Sequence, residues 1–321
     1  MKLRKIEFGS ALGGSGVEGF FGNKEYLFHK LPGGLSPDFT GMTFVSKTTT
    51  LLGRNGNARL KSDYTLRDLF PDCVKIKPFS KVMLNAFGLS GPGLGALLGT
   101  GKWQKRTKPF LISLMSLSNS PKRRKEELRI AVEMIGLCKE DFSAPFGLQI
   151  NLSCPNTEHD PRQLIGESAE MLETANILGV PVMPKYSIAS APVEAIMQLN
   201  DNPNCDAICV SNTIPYDWEG IDWVSIFGKN GSPLHRYGGG GLSGKPLRPL
   251  VCMWIKRLRD AGFTKPINGG GGILCPEDVN HYFRAGASSI FLGSIAALST
   301  VTFRPWRVAE TISQANHLKW E

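Results

Sequence analysis

The segment Ile150-Asn-Leu-Ser-Cys-Pro-Asn-Thr157 places a thiol, Cys154, three residues after Asn151 and two before Asn156, where an apolar run gives way to a proline-containing loop. A partly exposed thiol flanked by amides can serve as a base or nucleophile once its pKa drops below the free value of ~8.5. Cys73, Cys138, Cys205, Cys209, Cys252 and Cys275 lack such flanks and read as inert packing residues. Cys205 and Cys209 have no second Cys or His pair nearby, and the five histidines show no ligand spacing, so no metal is expected.

Other polar residues fall at the ends of short apolar runs: Lys47, Asn85, Asn151, Lys185, Asn212 with Thr213, the Gly269–Gly272 run, and Gly293 with Ser294. Any one of them could be a solvated loop residue, but their shared phase sets them apart. Ile267-Asn-Gly-Gly-Gly-Gly-Ile273 carries no Cβ atoms over four positions, so backbone N–H groups there could approach a phosphate. Gly293-Ser294 ends the following run in the same way, which suits a phosphate site after strands seven and eight of a barrel.

The positions of these residues depend on the elements around them. Candidate strands lie at Gly41–Ser46, Val82–Leu84, Pro109–Met115, Gly147–Leu152, Val180–Tyr186, Cys205–Ser211, entering Asn268, and at Ser289–Leu292. Ser120 and Pro121 read as N-cap and first residue of a helix whose Leu128, Val132 and Ile135 form one apolar stripe. Further helices are expected near 161–178, 191–200 and 247–261, and after Pro276. Eight parallel strands alternating with helices predict an α/β fold, a (β/α)8 TIM barrel formed by residues 1–321 as one domain. Residues 1–40 and 48–80 are expected to form hairpins or caps over one end, and the glycine-rich 213–245 stretch a long binding loop.

Composition agrees with one large globular unit: 321 residues, 41% hydrophobic and 20% charged, with 36 Gly and 21 Pro, exclude disorder, collagen and coiled coil. Division by ~150 residues per domain would allow two domains, but single α/β barrels reach this size. The net charge of +9 fits nucleic acid, an anionic surface or small acidic molecules. No apolar run approaches the ~20 residues of a membrane span. The basic Met-Lys-Leu-Arg-Lys start is followed by Glu, Gly and Ser rather than a signal core. Seven scattered cysteines do not make a disulfide scaffold, so a soluble, cytoplasmic protein is expected.

Asn151-Leu-Ser-Cys-Pro-Asn-Thr157 resembles the catalytic loop of the dihydroorotate dehydrogenases, flavoproteins built on a (β/α)8 barrel with bound FMN. The resemblance extends over nearly the whole chain through Phe44-Val-Ser-Lys-Thr-Thr-Thr50, Arg54-Asn-Gly-Asn57, Asn85-Ala-Phe-Gly-Leu89, Val210-Ser-Asn-Thr213, Gly240-Gly-Leu-Ser-Gly-Lys-Pro246, Gly271-Gly-Ile273 and Leu292-Gly-Ser294. It implies FMN-dependent oxidation of dihydroorotate to orotate in pyrimidine biosynthesis, with Cys154 as the base and flavin N5 as hydride acceptor. Lys47, Asn85, Asn151, Asn156, Asn212 and Thr213, with the backbone at Gly88 and Leu89, would hold the substrate. Lys185 would stand by the N1 and O2 edge of the flavin. Gly14, Ser15, Lys47, Asn151, Ser211, Ser243, Gly244, Gly271, Gly272, Gly293 and Ser294 would complete the FMN site. A homodimer is implied, with an electron-transfer subunit in one branch of the family. The cysteine base resembles the soluble class 1 enzymes, whereas Gly240–Pro246 resembles class 2 and class 1B. Ser90-Gly91 departs from the pattern where an asparagine is common, and Ala58-Arg-Leu60 replaces a proline-rich stretch, which leaves the electron acceptor open.

Other readings fit parts of this pattern. A tRNA-dihydrouridine synthase has a similar Asn-x-x-Cys-Pro spacing and would suit the charge, but such enzymes usually append an RNA-binding domain, and no nucleic-acid partner is expected here. A dihydropyrimidine dehydrogenase would act on a ring without the carboxylate. A flavin-free lyase could use Lys185 as a Schiff-base amine. A non-catalytic basic module would bind nucleic acid in a strongly salt-dependent way.

Overall fold

The computed structural model describes residues 1–22, 25–153 and 166–318. Seven parallel strands form one sheet in the order Ala11–Gly13, Ser289–Leu292, Ile267–Gly269, Ile208–Val210, Val182–Tyr186, Phe146–Asn151 and Phe110–Leu114. The segment 43–49 joins its two edges, bridging Leu12 through Thr43 and Leu111 and Leu114 through Val45 and Thr49, all parallel. The sheet thereby closes into the eight-staved α/β barrel expected from the sequence.

Two staves differ from the expectation. Val82–Asn85 belongs to no barrel stave; it lies in an antiparallel sheet ordered Ile214–Pro215, Gly241–Gly244, Val82–Asn85, Val74–Lys77. Its side chains alternate between buried and half-buried, as suits a strand with only one face on the core. The first stave is instead Ala11–Gly13, three buried residues too short and glycine-rich to register as an apolar run.

Inside the barrel, Leu12, Val45, Leu111, Met183, Ala207, Cys209 and Phe291 pack in one apolar cluster with Leu3 and Phe8. Those last two come from the hairpin pairing Lys2–Leu3 with Ile6–Glu7, which plugs the end where the strands begin. The opposite end, where the strands finish, is covered by the antiparallel sheet, to which 48–80 gives Val74–Lys77 and 213–245 gives Gly241–Gly244. The long loop is thus partly regular, with a further short helix at Trp223–Phe227.

Outside, helices cover the sheet. Ser120 Oγ accepts from the Arg123 N–H and Pro121 opens the helix Pro121–Leu137, whose Leu128, Val132 and Ile135 are buried. Each such side chain contributes ~1.5–3 kcal/mol by leaving water, and Leu128→Ala would forfeit ~2–5 kcal/mol through the cavity left behind. The helices Leu247–Asp260 and Pro276–Ala285 lie where expected, the second opened by its proline and ended by Gly286 at φ 101°. Of the 161–178 helix, Ser168–Asn176 is described and 161–165 fall outside the described residues. Among the described residues no helix is long and apolar enough to cross a membrane.

Candidate active site

Between the strand ends and the antiparallel cap lies a cavity of about 710 Å³. Its walls include Gly14, Ser15, Lys47, Asn85, Gly88, Leu89, Asn151, Lys185, Ser211, Asn212, Thr213, Ser243, Gly271, Gly293 and Ser294. Sequence positions 280 residues apart are therefore brought to one space by the closed barrel. Gly244 and Gly272 sit behind the wall: a Cβ on Gly272 would stand 2.5 Å from the Gly244 carbonyl oxygen, and one on Gly244 2.3 Å from that of Lys81. Backbone packing accounts for both glycines, whose φ values are also positive. Cys154 and Asn156 lie outside the described residues.

A chain of hydrogen bonds organises the polar wall. Ser15 Oγ and Thr48 Oγ1 share a bond of 2.7 Å, and Thr48 Oγ1 and Ser113 Oγ another of 2.9 Å. Asn151 Nδ2 donates to Thr48 Oγ1 at 3.3 Å, and Asn212 Nδ2 donates to Asn151 Oδ1 and to the Ser153 carbonyl, both at 3.1 Å. Ser153 Oγ donates to the Lys185 carbonyl at 3.3 Å. The two amides and Lys185 thus hold the residue immediately before Cys154, and Asn151 pairs with Lys185 across the sheet. Thr48 and Ser113 were not picked out from the sequence. Thr48 could have been noticed as the hydroxyl beside Lys47, but Ser113 lies in an apolar run with nothing to mark it.

Two lysines, Lys47 and Lys185, line the cavity. Lys47 Nζ donates to the Ser90 carbonyl at 2.7 Å and stands 4.8 Å from the Phe20 ring centroid. Burial lowers its pKa to about 8, while the Glu25 carboxylate pulls it upward. Glu25 itself is pushed up by burial, against the Phe20 and Phe21 N–H groups that donate to it. Lys185 is also buried, 5.2 Å from the Phe291 ring centroid. Cations held in an enclosed, low-dielectric space attract a carboxylate or phosphate more strongly than surface lysines do.

The opposite wall is backbone. Among the described residues, the N–H groups of Gly271, Gly293 and Ser294 on this wall, and of Gly272 behind it, meet no carbonyl acceptor. A Cβ built on Gly293 would touch nothing within 4 Å, so a side chain there would grow into the cavity. Gly14 is tighter, 3.1 Å from the Leu292 carbonyl oxygen. Val74, Ile76, Phe87, Leu247 and Ile273 add apolar surface for a flat ring. On the cap, Asn85 Nδ2 donates to the Gly241 carbonyl at 3.4 Å, and Leu89 holds a positive φ of 58°. Arg54 Nε and Asn57 Nδ2 tie the same loop at the Gly88 and Ala86 carbonyls.

Several other cysteines are unsuited to base chemistry, since burial pushes Cys73, Cys209 and Cys252 up to about 11 and Cys205 to about 12.

Comparison with known proteins places this site in context. The family model for dihydroorotate dehydrogenase matches residues 40–314. The catalytic subunit of dihydroorotate dehydrogenase B (NAD(+)) from Listeria monocytogenes is 30% identical over 232 residues, 66% of each chain. Its counterpart from Anoxybacillus flavithermus is 29% identical over 219 residues, 66% of this chain and 64% of that one. Dihydroorotate dehydrogenase A (fumarate) from Limosilactobacillus reuteri is 26% identical, covering 78% and 74%. The chain thus spans just under two thirds of the length of the first two relatives. Among solved structures, DHODH from Eimeria tenella in complex with ferulenol is similar in fold, with a TM-score of 0.61, 18% identity, and coverage of 85% of this chain and 74% of that one.

Proposed function

The chain belongs to the dihydroorotate dehydrogenase family, and from that premise we propose that it oxidises dihydroorotate to orotate in pyrimidine biosynthesis, using FMN. The observation that carries this reading is the convergence of Lys47, Lys185, Asn85, Asn151 and Asn212 on one cavity whose wall also carries Gly271 and Gly293.

The residues fit both molecules. Gly14, Ser15, Lys185, Ser211, Ser243, Gly244, Gly271, Gly272, Gly293 and Ser294 would hold FMN, its phosphate against the unpaired N–H groups of the glycine wall. When bound, FMN supplies the acceptor for a hydride from C6 of the substrate. Lys47 and Asn85 would bind the substrate carboxylate, with Gly88, Leu89 and Thr213 around it, and the amides of Asn151, Asn156 and Asn212 would meet the ring's N–H and C=O edges because each offers a donor and an acceptor. Cys154 would take the C5 proton as general base, in the loop whose start Asn151 and Asn212 fix through Ser153. The cap would keep water away and strengthen each of these interactions.

We further read the working protein as a cytoplasmic homodimer, its flavin reoxidised by fumarate, a quinone or an NAD-linked partner subunit. Anaerobic mixing of the purified yellow protein with dihydroorotate should bleach the flavin absorbance, and reoxidation by each acceptor in turn should then identify the branch. A protein that binds FMN but is not bleached by dihydroorotate would refute the substrate.

A further inference from the structure

Ser90, where the sequence departs from its family's pattern, is fully buried and connects the barrel-closing segment 43–49 to two loops, 56–58 and 87–90. Its carbonyl accepts the Lys47 ammonium at 2.7 Å. Its hydroxyl accepts from the buried Ala58 N–H at 3.0 Å and donates to the Phe87 carbonyl at 3.1 Å. The segment carrying Ala58 lies so close that a Cβ on Gly56 would stand 2.3 Å from Ser90 Oγ and 2.6 Å from its nitrogen. Gly56 also has a positive φ of 54°, so a bare backbone is packed against this serine. The Phe87 ring, on the same loop, stands 5.6 Å from Lys47 Nζ.

From this arrangement we propose that Ser90 is a positioning residue: its hydroxyl fixes the carbonyl that aims the Lys47 ammonium into the cavity. The proposal rests on the reading of Lys47 as a cation that binds the substrate. A lysine side chain has four rotatable bonds and ends in a point charge, so the place of that charge is set by its acceptors. Around Lys47 those are the Ser90 carbonyl and, electrostatically, the Glu25 carboxylate. Without the Ser90 hydroxyl, the Ala58 N–H has no acceptor and the 87–90 turn loses its internal bond, so the carbonyl is free to swing away from the ammonium.

The test is Ser90→Ala in the flavin-loaded protein, with melting temperature and near-UV circular dichroism confirming the fold. The pH dependence of Lys47 acylation by a small reagent, followed by mass spectrometry without substrate, should shift its midpoint down by roughly one pH unit, since an ammonium that loses a hydrogen bond is deprotonated more easily. Orotate, titrated through the flavin spectrum, should bind roughly tenfold more weakly, the loss expected for one hydrogen bond to a charged group. In a Lys47→Ala background the Ser90 substitution should cost nothing further, because both act through the same ammonium. Ser90→Thr keeps the hydroxyl and should restore the midpoint. An unshifted midpoint, or fully additive losses in the double variant, would overturn the proposal. A shifted midpoint with unchanged orotate affinity would uphold the positioning and refute Lys47 as a substrate-binding cation.

Discussion

On the side of the cavity built by residues 43–49, 146–151 and 208–213, the wall consists of side chains bonded to one another, from Ser15 through Thr48 and Asn151 to Asn212 and Ser153. On the side that carries Gly271, Gly293 and Ser294, with Gly272 packed behind them, side chains are missing at the glycines. The first side would recognise a ligand by donors and acceptors held in register, so disturbing one member disturbs its neighbours. The second would recognise it by leaving room, so each glycine can be tested alone. Even there the reasons differ: Gly293 faces open space, whereas Gly272 is hemmed in by backbone.

Substitutions can break or sharpen this contrast. The largest effect is expected from Cys154→Ala, which should slow flavin reduction by dihydroorotate ~10²-fold or more in stopped flow while flavin stays bound; wild-type rates would refute Cys154 as the base. Gly293→Val should lower FMN retention by about tenfold or more, the equivalent of one lost backbone hydrogen bond plus exclusion, yet leave the apoprotein's melting temperature unchanged. Gly272→Val should do the reverse, losing fold stability first, and similar behaviour of the two variants in thermal melts would contradict the distinction. Asn212→Ala should weaken orotate binding by about fivefold to tenfold, and adding Asn151→Ala should cost less than its separate effect, since the two share a bond. Independent, additive losses in the titrations would mean that the chain does not act as a unit. The smallest effect is in pH. Lys47 is an ammonium below about 8 and neutral above, so orotate affinity should decline gently as pH rises through that value. In Lys47→Met the decline should vanish from the same titration.

Much of this arrangement was legible in the chain. Ser120-Pro121 marks a helix start because cap and ring chemistry act locally, and the stripe of Leu128, Val132 and Ile135 shows which face is buried. Lys47, Asn151, Lys185, Asn212, Gly271 and Gly293 share a cavity because parallel strands all finish at one end of a barrel, whereas Asn85 reaches it from the antiparallel cap. Ala11–Gly13 has no mark in the sequence because a three-residue strand with one large apolar side chain, Leu12, makes no apolar run; its neighbours supply the burial. Val82–Asn85 misled because an apolar strand of four residues looks alike in a barrel and in a cap. The roles of Thr48 and Ser90 come from partners more than 30 residues away, beyond what any local pattern records.

The bridging segment 43–49 has a consequence for how the molecule breathes. It meets its neighbours by isolated bridges rather than an unbroken ladder, and it also carries Lys47 and Thr48. The seam of the barrel is therefore a wall of the ligand chamber, and whatever fills the chamber acts as a clasp on that seam. Amide hydrogens of 43–49 should exchange with deuterated solvent more slowly once ligand is present, since binding favours the closed form by mass action.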